Sequence, residues 1–123
     1  MSPLRAYISA ARGRRLRYGS HDCVTFAGRW AERQTGRDLV PRYRTLREGL
    51  ALLGAAPLPA RLDAEFTALA PLLARPGDLA LLPSDSELPA LGIVAHGGLI
   101  ACFVGREIGL VPLTAAQRAW RVG

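Results

Sequence analysis

The sequence predicts an α+β fold, in which N-terminal helices pack on a C-terminal antiparallel β-sheet of four to five short strands. Apolar residues recur at helical spacing within residues 1–54, whereas residues 76–123 hold short apolar runs separated by turns. Helices followed by a meander of strands are typical of an α+β domain. The 123 residues suffice for one compact domain and are too few for two. We therefore expect residues 1–123 to form a single domain.

Three helices are predicted in the first half of the chain. Their expected capping residues, in chain order, are Ser2, either Ser20 or Asp22, and Thr45. Gly36 and Gly54 are expected to end the second and third helices. Residues 55–61 are interpreted as a connection, and residues 62–74 as one or two irregular helical turns.

Short apolar runs after the turn at residues 76–77 predict the strands, which span residues 78–82, 91–95, 99–104, 108–112 and, as a short fifth, 119–122. A polar loop is predicted over residues 83–89. The glycine-rich turn at residues 96–98 joins two of the strands as a hairpin, which makes the sheet antiparallel.

The composition excludes several classes of protein. Half of the residues are hydrophobic and 21% are charged, as in a folded globular chain. No apolar run approaches the ~20 residues of a membrane helix, and arginines interrupt the N-terminal apolar stretch, unlike a secretory signal. Two cysteines permit one disulfide or two free thiols. The sequence shows neither a phosphate-binding glycine motif nor zinc-ligand spacing, so no cofactor and no metal are expected.

The positive charge is concentrated in the first third of the chain. All 16 basic residues are arginines, and residues 1–47 carry a net charge of +8 against −2 for residues 48–123. A GC-rich genome explains the missing lysine, but it does not explain the concentration. A basic face for a polyanion or an acidic protein partner does. Its candidate binding residues are Arg12, Arg14, Arg15, Arg17, Arg42 and Arg44.

Cys23 is the candidate nucleophile because of its position. It follows Asp22, the candidate cap, in the first turn of the second predicted helix, where free amide groups and the helix dipole favour a thiolate. A thiolate is the attacking group of cysteine hydrolases. Cys23 also shares an apolar face with Phe26 and Trp30, and position alone favours simple packing over catalysis.

Three segments resemble the NlpC-type peptidoglycan endopeptidases, which are compact papain-like cysteine peptidases. They are residues 18–26 (YGSHDCVTF), residues 76–82 (PGDLALL), and residues 91–94 (LGIV) with the hairpin that follows. Their order and spacing agree with that superfamily. The resemblance implies that Cys23 opens a helix packed on an antiparallel sheet. It also implies that Tyr18 lies beside the cysteine, where active relatives use an aromatic residue in the oxyanion environment.

A closer likeness is to small proteins encoded among the tail genes of phages and prophages. The segments that carry it are HDC at residues 21–23, TG at 35–36, RYR at 42–44, ALGI at 90–93 and AWRV at 119–122. This likeness implies a component of the tail tip of a long-tailed phage or a related particle. Such a protein is made in the cytoplasm of the bacterial host and joins the virion at its tail tip. Its expected partners are other tail-tip proteins, such as hub or distal tail proteins.

The resemblance also shows a departure from the enzymes. The general base of the active superfamily is a histidine at the position of Ala90, and the polar residue that orients it aligns with Ala101, or with Cys102 if the register slips by one. A cysteine without a base and an orienting group loses its usual activation.

Only two histidines are available as substitutes for the base. His96 lies five or six residues past the expected position, which is nearly ~20 Å along a strand. His21 is close in sequence to Cys23 and is the remaining candidate, although capping or surface exposure is the simpler interpretation. Cys102 is expected near the second helix, but two separate buried thiols are favoured over a disulfide.

Three functions follow from these observations. The first is a structural tail-tip protein with a degenerate peptidase fold, which docks through its arginines. The second is an active hydrolase that cleaves peptidoglycan peptides with Cys23 as nucleophile. The third, a nucleic-acid-binding module, rests on the arginines alone, because no binding motif accompanies them and aromatic residues make up only 7% of the chain.

Overall fold

The computed structural model of the protein describes residues 2–54, 57–84 and 88–123. These residues contain four α-helices: α1 (Pro3–Ala11), α2 (Cys23–Thr35), α3 (Leu46–Leu53) and α4 (Pro57–Glu65). They also contain six strands: β1 (Thr67–Leu69), β2 (Leu79–Leu82), β3 (Ala90–Val94), β4 (Leu99–Val104), β5 (Glu107–Pro112) and β6 (Arg118–Arg121). None of the helices in the described residues is long and apolar enough to cross a membrane.

The first three helices begin at residues that the sequence marks as caps. The Ser2 hydroxyl accepts a hydrogen bond from the Arg5 amide at 3.1 Å, and the Thr45 hydroxyl accepts one from the Glu48 amide at 3.2 Å. Of the two candidates for α2, Asp22 is the cap. Each cap gives an acceptor to a first-turn amide that has no partner within the helix.

The structure of residues 57–69 differs from two of the predictions, the connection over residues 55–61 and the helical turns over residues 62–74. The connection predicted over residues 55–61 is wrong from Pro57 onward, because proline suits the first helical position and the buried Leu58 and Leu62 lie one turn apart. Residues 55 and 56 lie outside the described part of the chain. Residues 62–74 were predicted to form one or two irregular helical turns. In the structure they form the end of α4, strand β1 and a 3-10 turn at Pro71–Leu73.

The sheet is antiparallel throughout its described residues, with strand order β1-β6-β2-β3-β4-β5. It has six strands rather than the four to five predicted, because β1 adds an edge by pairing with β6. The glycine-rich turn at residues 96–98 joins β3 to β4, as predicted. The polar loop predicted over residues 83–89 includes residues 85–87, which lie outside the described residues.

The two faces of the sheet bury separate apolar clusters. Leu79, Ile93 and Trp120 belong to the larger cluster, which includes the inner faces of the helices. Cys102 and Ile100 belong to a smaller cluster on the other face. Alternate side chains of a strand point to opposite faces, so neighbouring residues of β4 enter different clusters.

Two tryptophans connect the helices to the sheet. The Trp30 indole of α2 donates a hydrogen bond to the carbonyl of Gly77 at 2.8 Å, just before β2. The Trp120 indole of β6 donates one to the Asp63 carboxylate of α4 at 2.9 Å. Trp120 is fully buried and therefore holds the C-terminal strand in the domain. Helix α2 packs directly on β3, and this places Cys23 beside the beginning of that strand.

Candidate active site and basic face

Asp22 organises the chain around the N-terminus of α2. One carboxylate oxygen accepts hydrogen bonds from the amides of Val24 and Thr25 at 3.0 and 2.8 Å. The other accepts hydrogen bonds from the Gly19 amide at 2.9 Å and from the Tyr43 hydroxyl. The side chain is fully buried, so these four donors supply the hydrogen bonds that a buried carboxylate requires.

Gly19 allows the loop before α2 to lie against the chain at Tyr43. Its φ is +85°, and a methyl group placed on it would come within 1.9 Å of the Tyr43 carbonyl oxygen. Only glycine fits both the left-handed backbone and this close approach. The contact holds the loop in the position from which it donates to Asp22.

The Cys23 thiol is the first side chain of α2, and it points toward the beginning of β3. It donates a hydrogen bond to the Pro89 carbonyl oxygen at 3.1 Å. It also lines a cavity of about 370 Å³, whose lining residues are Leu16, Tyr18, Cys23, Pro83, Ser84, Leu88, Ala90, Phe103 and Gly105. The structure thus brings together Cys23, Tyr18 and Ala90, three positions that the sequence assigned to one site.

Burial raises the pKa of the Cys23 thiol to about 11, and the neighbouring Asp22 charge acts in the same direction. Amide groups at the start of α2 and at Leu91 lower the pKa but do not offset the burial. The thiolate expected from the position at the helix N-terminus is therefore not formed at neutral pH. Helix position and desolvation oppose each other here, and desolvation is the larger effect.

His21 lies among aromatic side chains and outside the cavity of Cys23. It is 4% exposed, with its ring edge-on to Phe103 at 5.0 Å and to Phe26 at 6.4 Å between centroids. Its buried Nε2 atom has no hydrogen-bond partner among the described residues. Burial lowers the pKa of His21, and the charge of Arg14 lowers it further. The expectation that His21 caps the helix or is exposed is wrong, because Asp22 is the cap and the imidazole packs in the interior.

The two positions assigned to the base and its orienting group carry only methyl groups. Ala90 is the first residue of β3, pairs with Leu82, and borders the cavity of Cys23. Ala101 pairs with Ile93 and is fully buried. Neither side chain can accept a proton or hold an imidazole. His96, at the tip of the β3–β4 turn, is exposed.

Cys102 does not join the site. It is buried in the cluster on the other face of the sheet, and both cysteines are free thiols. Burial raises the pKa of Cys102 to about 11. Across residues 2–54, 57–84 and 88–123, no group of three or more His, Cys, Asp or Glu side chains is placed to hold a metal ion.

The six predicted binding arginines are all exposed. They do not share one groove. Arg14 lines a groove between α1 and α2, whereas Arg42 and Arg44 line a second groove beside Tyr43. The other three, Arg12, Arg15 and Arg17, line neither of these grooves. None of the six forms an ion pair with any acid in the described part of the chain.

Sequence reasoning missed two arginines of this face. Arg29 and Arg33 lie one turn apart on α2; both line the groove between α1 and α2, and Arg29 also lines the second groove. Their i, i+4 spacing on the polar face of α2 was the available signal. We call the exposed arginines of both grooves, Arg14, Arg29, Arg33, Arg42 and Arg44, the basic face.

A family model described as a domain of unknown function, DUF6950, matches residues 1–122 of the chain. The search of curated proteins found no match to this chain. Among solved structures, the chain is similar to the crystal structure of the NlpC/p60 domain of the peptidoglycan hydrolase SagA, with a TM-score of 0.66 and 16% sequence identity. The superposition covers 96% of this chain and 95% of the other. At this identity the similarity shows the fold: the α+β architecture is of the NlpC/p60 type.

Proposed function

Because this chain belongs to the DUF6950 family, a domain of unknown function, and has an NlpC/p60 fold, we propose that it is a catalytically inactive member of that fold. It serves as an assembly component of a phage tail tip or of a related phage-like particle. The observation that carries the first part is Ala90, which borders the cavity of Cys23 where a general base is needed.

The chemistry of the cavity that contains Cys23 supports a degenerate, inactive active site. A cysteine nucleophile needs a base within hydrogen-bond reach. The Cys23 thiol instead donates to the Pro89 carbonyl, and its pKa is about 11. His21 packs between aromatic rings and lines a different cavity. A fold can be retained without its catalytic groups, because fold does not determine function.

The tail-tip assignment is supported by the likeness of residues 21–23, 35–36, 42–44, 90–93 and 119–122 to small tail-gene proteins. The unpaired arginines of the helical half add an independent reason, because they suit ion pairs with acidic neighbours. In this proposal the protein is made in the host cytoplasm and functions at the virion tail tip. Its partners are other tail-tip proteins, such as hub or distal tail proteins.

The first test is release of soluble peptides from purified peptidoglycan, with wild type beside Cys23→Ala. The proposal expects no release from either protein. Release by wild type alone would mean that a base acts on Cys23, and the proposal of an inactive fold would be wrong.

The opposite outcome corresponds to a second candidate function, an active peptidase that cleaves peptidoglycan peptides. One observation favours it: Tyr18 and Cys23 line the same cavity at the N-terminus of α2, where a substrate carbonyl would meet both side chains. The peptidoglycan assay separates the two functions directly.

Assembly is tested by charge reversal in the encoding phage or prophage. Arg14→Glu with Arg42→Glu and Arg44→Glu should abolish complete tails in electron micrographs. A matched triple variant at Arg47, Arg61 and Arg75, which are exposed arginines outside both grooves, should leave the tails intact. Intact tails from the first variant, or equal loss from both, would contradict a specific docking role.

A further inference from the structure

A groove of about 710 Å³ lies between α1 and α2. Small side chains border it on α1, at Ala6, Ala10 and Ala11, and Tyr7 lies among them. The opposite side belongs to α2 and to the segment before it. This groove is separate from the cavity of Cys23, since no residue lines both.

The charge of the groove is positive and largely uncompensated. Arg29 forms an ion pair with Glu32 at 2.7 Å. Glu32 also accepts hydrogen bonds from the amides of Leu39 and Val40 at 2.8 and 3.0 Å. Its charge is therefore already engaged. Arg14 and Arg33 have no acidic partner among the described residues.

Arg33 is held in place by an aromatic ring. Its guanidinium lies over the ring of Tyr7, 4.9 Å from the centroid. The Tyr7 hydroxyl donates to the Phe26 carbonyl oxygen at 2.5 Å, which fixes the ring. A guanidinium stacked on a fixed ring loses less freedom when it binds a carboxylate. Arg33 is thus a preorganised anion-binding group.

We propose that the groove between α1 and α2 binds an acidic, extended segment of a partner protein, with carboxylates on Arg14 and Arg33 and small side chains against the alanines of α1. This inference rests on the proposed function, since the partner is then a neighbouring component of the particle. It adds the chemistry of that partner and the place where it docks.

The size of the groove fits a short peptide. The border on α1 runs from Pro3 to Ala11, which is about 12 Å at 1.5 Å per residue. An extended chain covers this length with about four residues. Carboxylates on alternate residues of such a segment lie on one side, and small residues between them face the alanines.

The aromatic rings argue against a nucleic acid as the occupant. The rings of Tyr7 and Phe26 stack on each other with centroids 5.5 Å apart, and Arg33 covers Tyr7. Tyr7 is covered on both faces and Phe26 is buried, so neither ring is free to stack with a base, whereas single-stranded nucleic acids depend on such stacking. The arginines remain available to carboxylates.

The test is a fluorescence-anisotropy titration with a labelled peptide of alternating Glu and Ala, about eight residues long so that it extends past both ends of the groove. The matched probe replaces each Glu by Gln. The wild-type protein should bind the Glu peptide at least about tenfold more tightly than the Gln peptide. Arg14→Gln with Arg33→Gln should remove that preference.

A second double variant, Arg47→Gln with Arg75→Gln, lowers the net charge equally but lies outside the groove. It should bind the Glu peptide as wild type does. Equal weakening in both variants would mean that net charge alone attracts the peptide, and the groove would not be the site. Tighter binding of a single-stranded oligonucleotide of equal charge would overturn the choice of partner.

Failure of this inference is distinguishable from failure of the proposed function. If the protein binds no peptide and releases nothing from peptidoglycan, the proposed binding role of the groove is wrong, and the proposal of a catalytically inactive fold is unaffected. Release of peptides from peptidoglycan by wild type but not by Cys23→Ala overturns the inactive fold, whatever the titration shows.

Discussion

At the scale of single residues, Cys23 carries two opposing effects. The first turn of a helix favours a thiolate, whereas a half-buried site beside a carboxylate disfavours it. The pKa of about 11 shows that the second effect is larger here. The position of a cysteine in a motif therefore does not by itself report its reactivity.

Alkylation with iodoacetamide should show this directly in a Cys102→Ala background. At pH 7 a thiol of pKa about 11 holds roughly two orders of magnitude less thiolate than an ordinary cysteine. The rate at Cys23 should be lower by a similar factor and should rise with pH toward a midpoint near 11. A plateau already reached below pH 9 would contradict the neutral thiol.

Ala90 permits the reverse experiment. Ala90→His places an imidazole at the border of the cavity of Cys23, where a nearby imidazolium stabilises the thiolate. Alkylation at pH 7 should accelerate by about tenfold or more, since each pKa unit changes the thiolate fraction tenfold. Ala116→His, half-buried against the other cluster, is the control. An unchanged rate in a folded Ala90→His protein would mean that this position does not face the thiol.

At the scale of elements, the N-terminus of α2 is held by one buried carboxylate rather than by a surface cap. Asp22 joins the helix to Gly19 and to Tyr43. Burial and the Asp22 carboxylate, which accepts its hydrogen bond, raise the pKa of the Tyr43 hydroxyl well above its ordinary value. The tyrosine is therefore a permanent donor. Cap, loop and the segment before α3 are consequently one unit.

Asp22→Ala should destabilise the protein by about 3 to 5 kcal/mol, since it removes a cap and leaves buried donors without an acceptor. Thr45→Ala removes the exposed cap of α3 and should cost only about 1 kcal/mol. Urea unfolding of both variants measures the difference. Similar losses would show that the contacts with Gly19 and Tyr43 add nothing to the cap.

Elements with a local signal were predictable from the sequence, and those that depend on distant partners were not. The caps of α1 and α3 are readable within four residues of chain. Strand β1 is three residues long and exists through its pairing with β6, about fifty residues later. At the site, Cys23 and Asp22 were identified from their segment, whereas the contact of Tyr43 with Asp22 is tertiary and has no sequence pattern.

At the scale of the whole molecule, the two halves of the chain differ in the share of their arginines that is paired. Of the five arginines in residues 48–123, Arg118 pairs with Asp63 and Arg121 with Asp78. Of the eleven arginines in residues 1–47, Arg29 and Arg37 alone pair with an acid among the described residues. Unpaired like charges repel one another and destabilise the compact state. A bound acidic partner would relieve this repulsion, which gives the charge asymmetry of the sequence a physical role.

Stability should depend on pH through His21. Burial lowers its pKa in the folded protein below the ordinary value of 6.5, so the unfolded chain takes up the proton first as the pH falls. The contribution of neutral His21 is complete above about pH 6.5 and is lost progressively below it. The melting temperature should decline between pH 6.5 and 5.

Two variants separate His21 from the other titrating groups. His21→Phe keeps an aromatic ring against Phe103 and should flatten the decline in melting temperature. His96→Asn changes an exposed turn residue and should leave the decline as in wild type. The same slope in all three proteins would show that His21 does not contribute.

The hydrogen bonds of Asp22 also bear on how catalysis can be lost from such a fold during evolution. A change at Ala90, half-buried at the end of a strand, puts few contacts at risk, so mutations there can accumulate freely. Asp22 is the sole acceptor for donors from three parts of the chain, and selection for folding alone would retain it. Selection for folding alone can therefore retain an Asp-Cys pair in this fold, so the presence of the pair does not by itself report a cell-wall hydrolase.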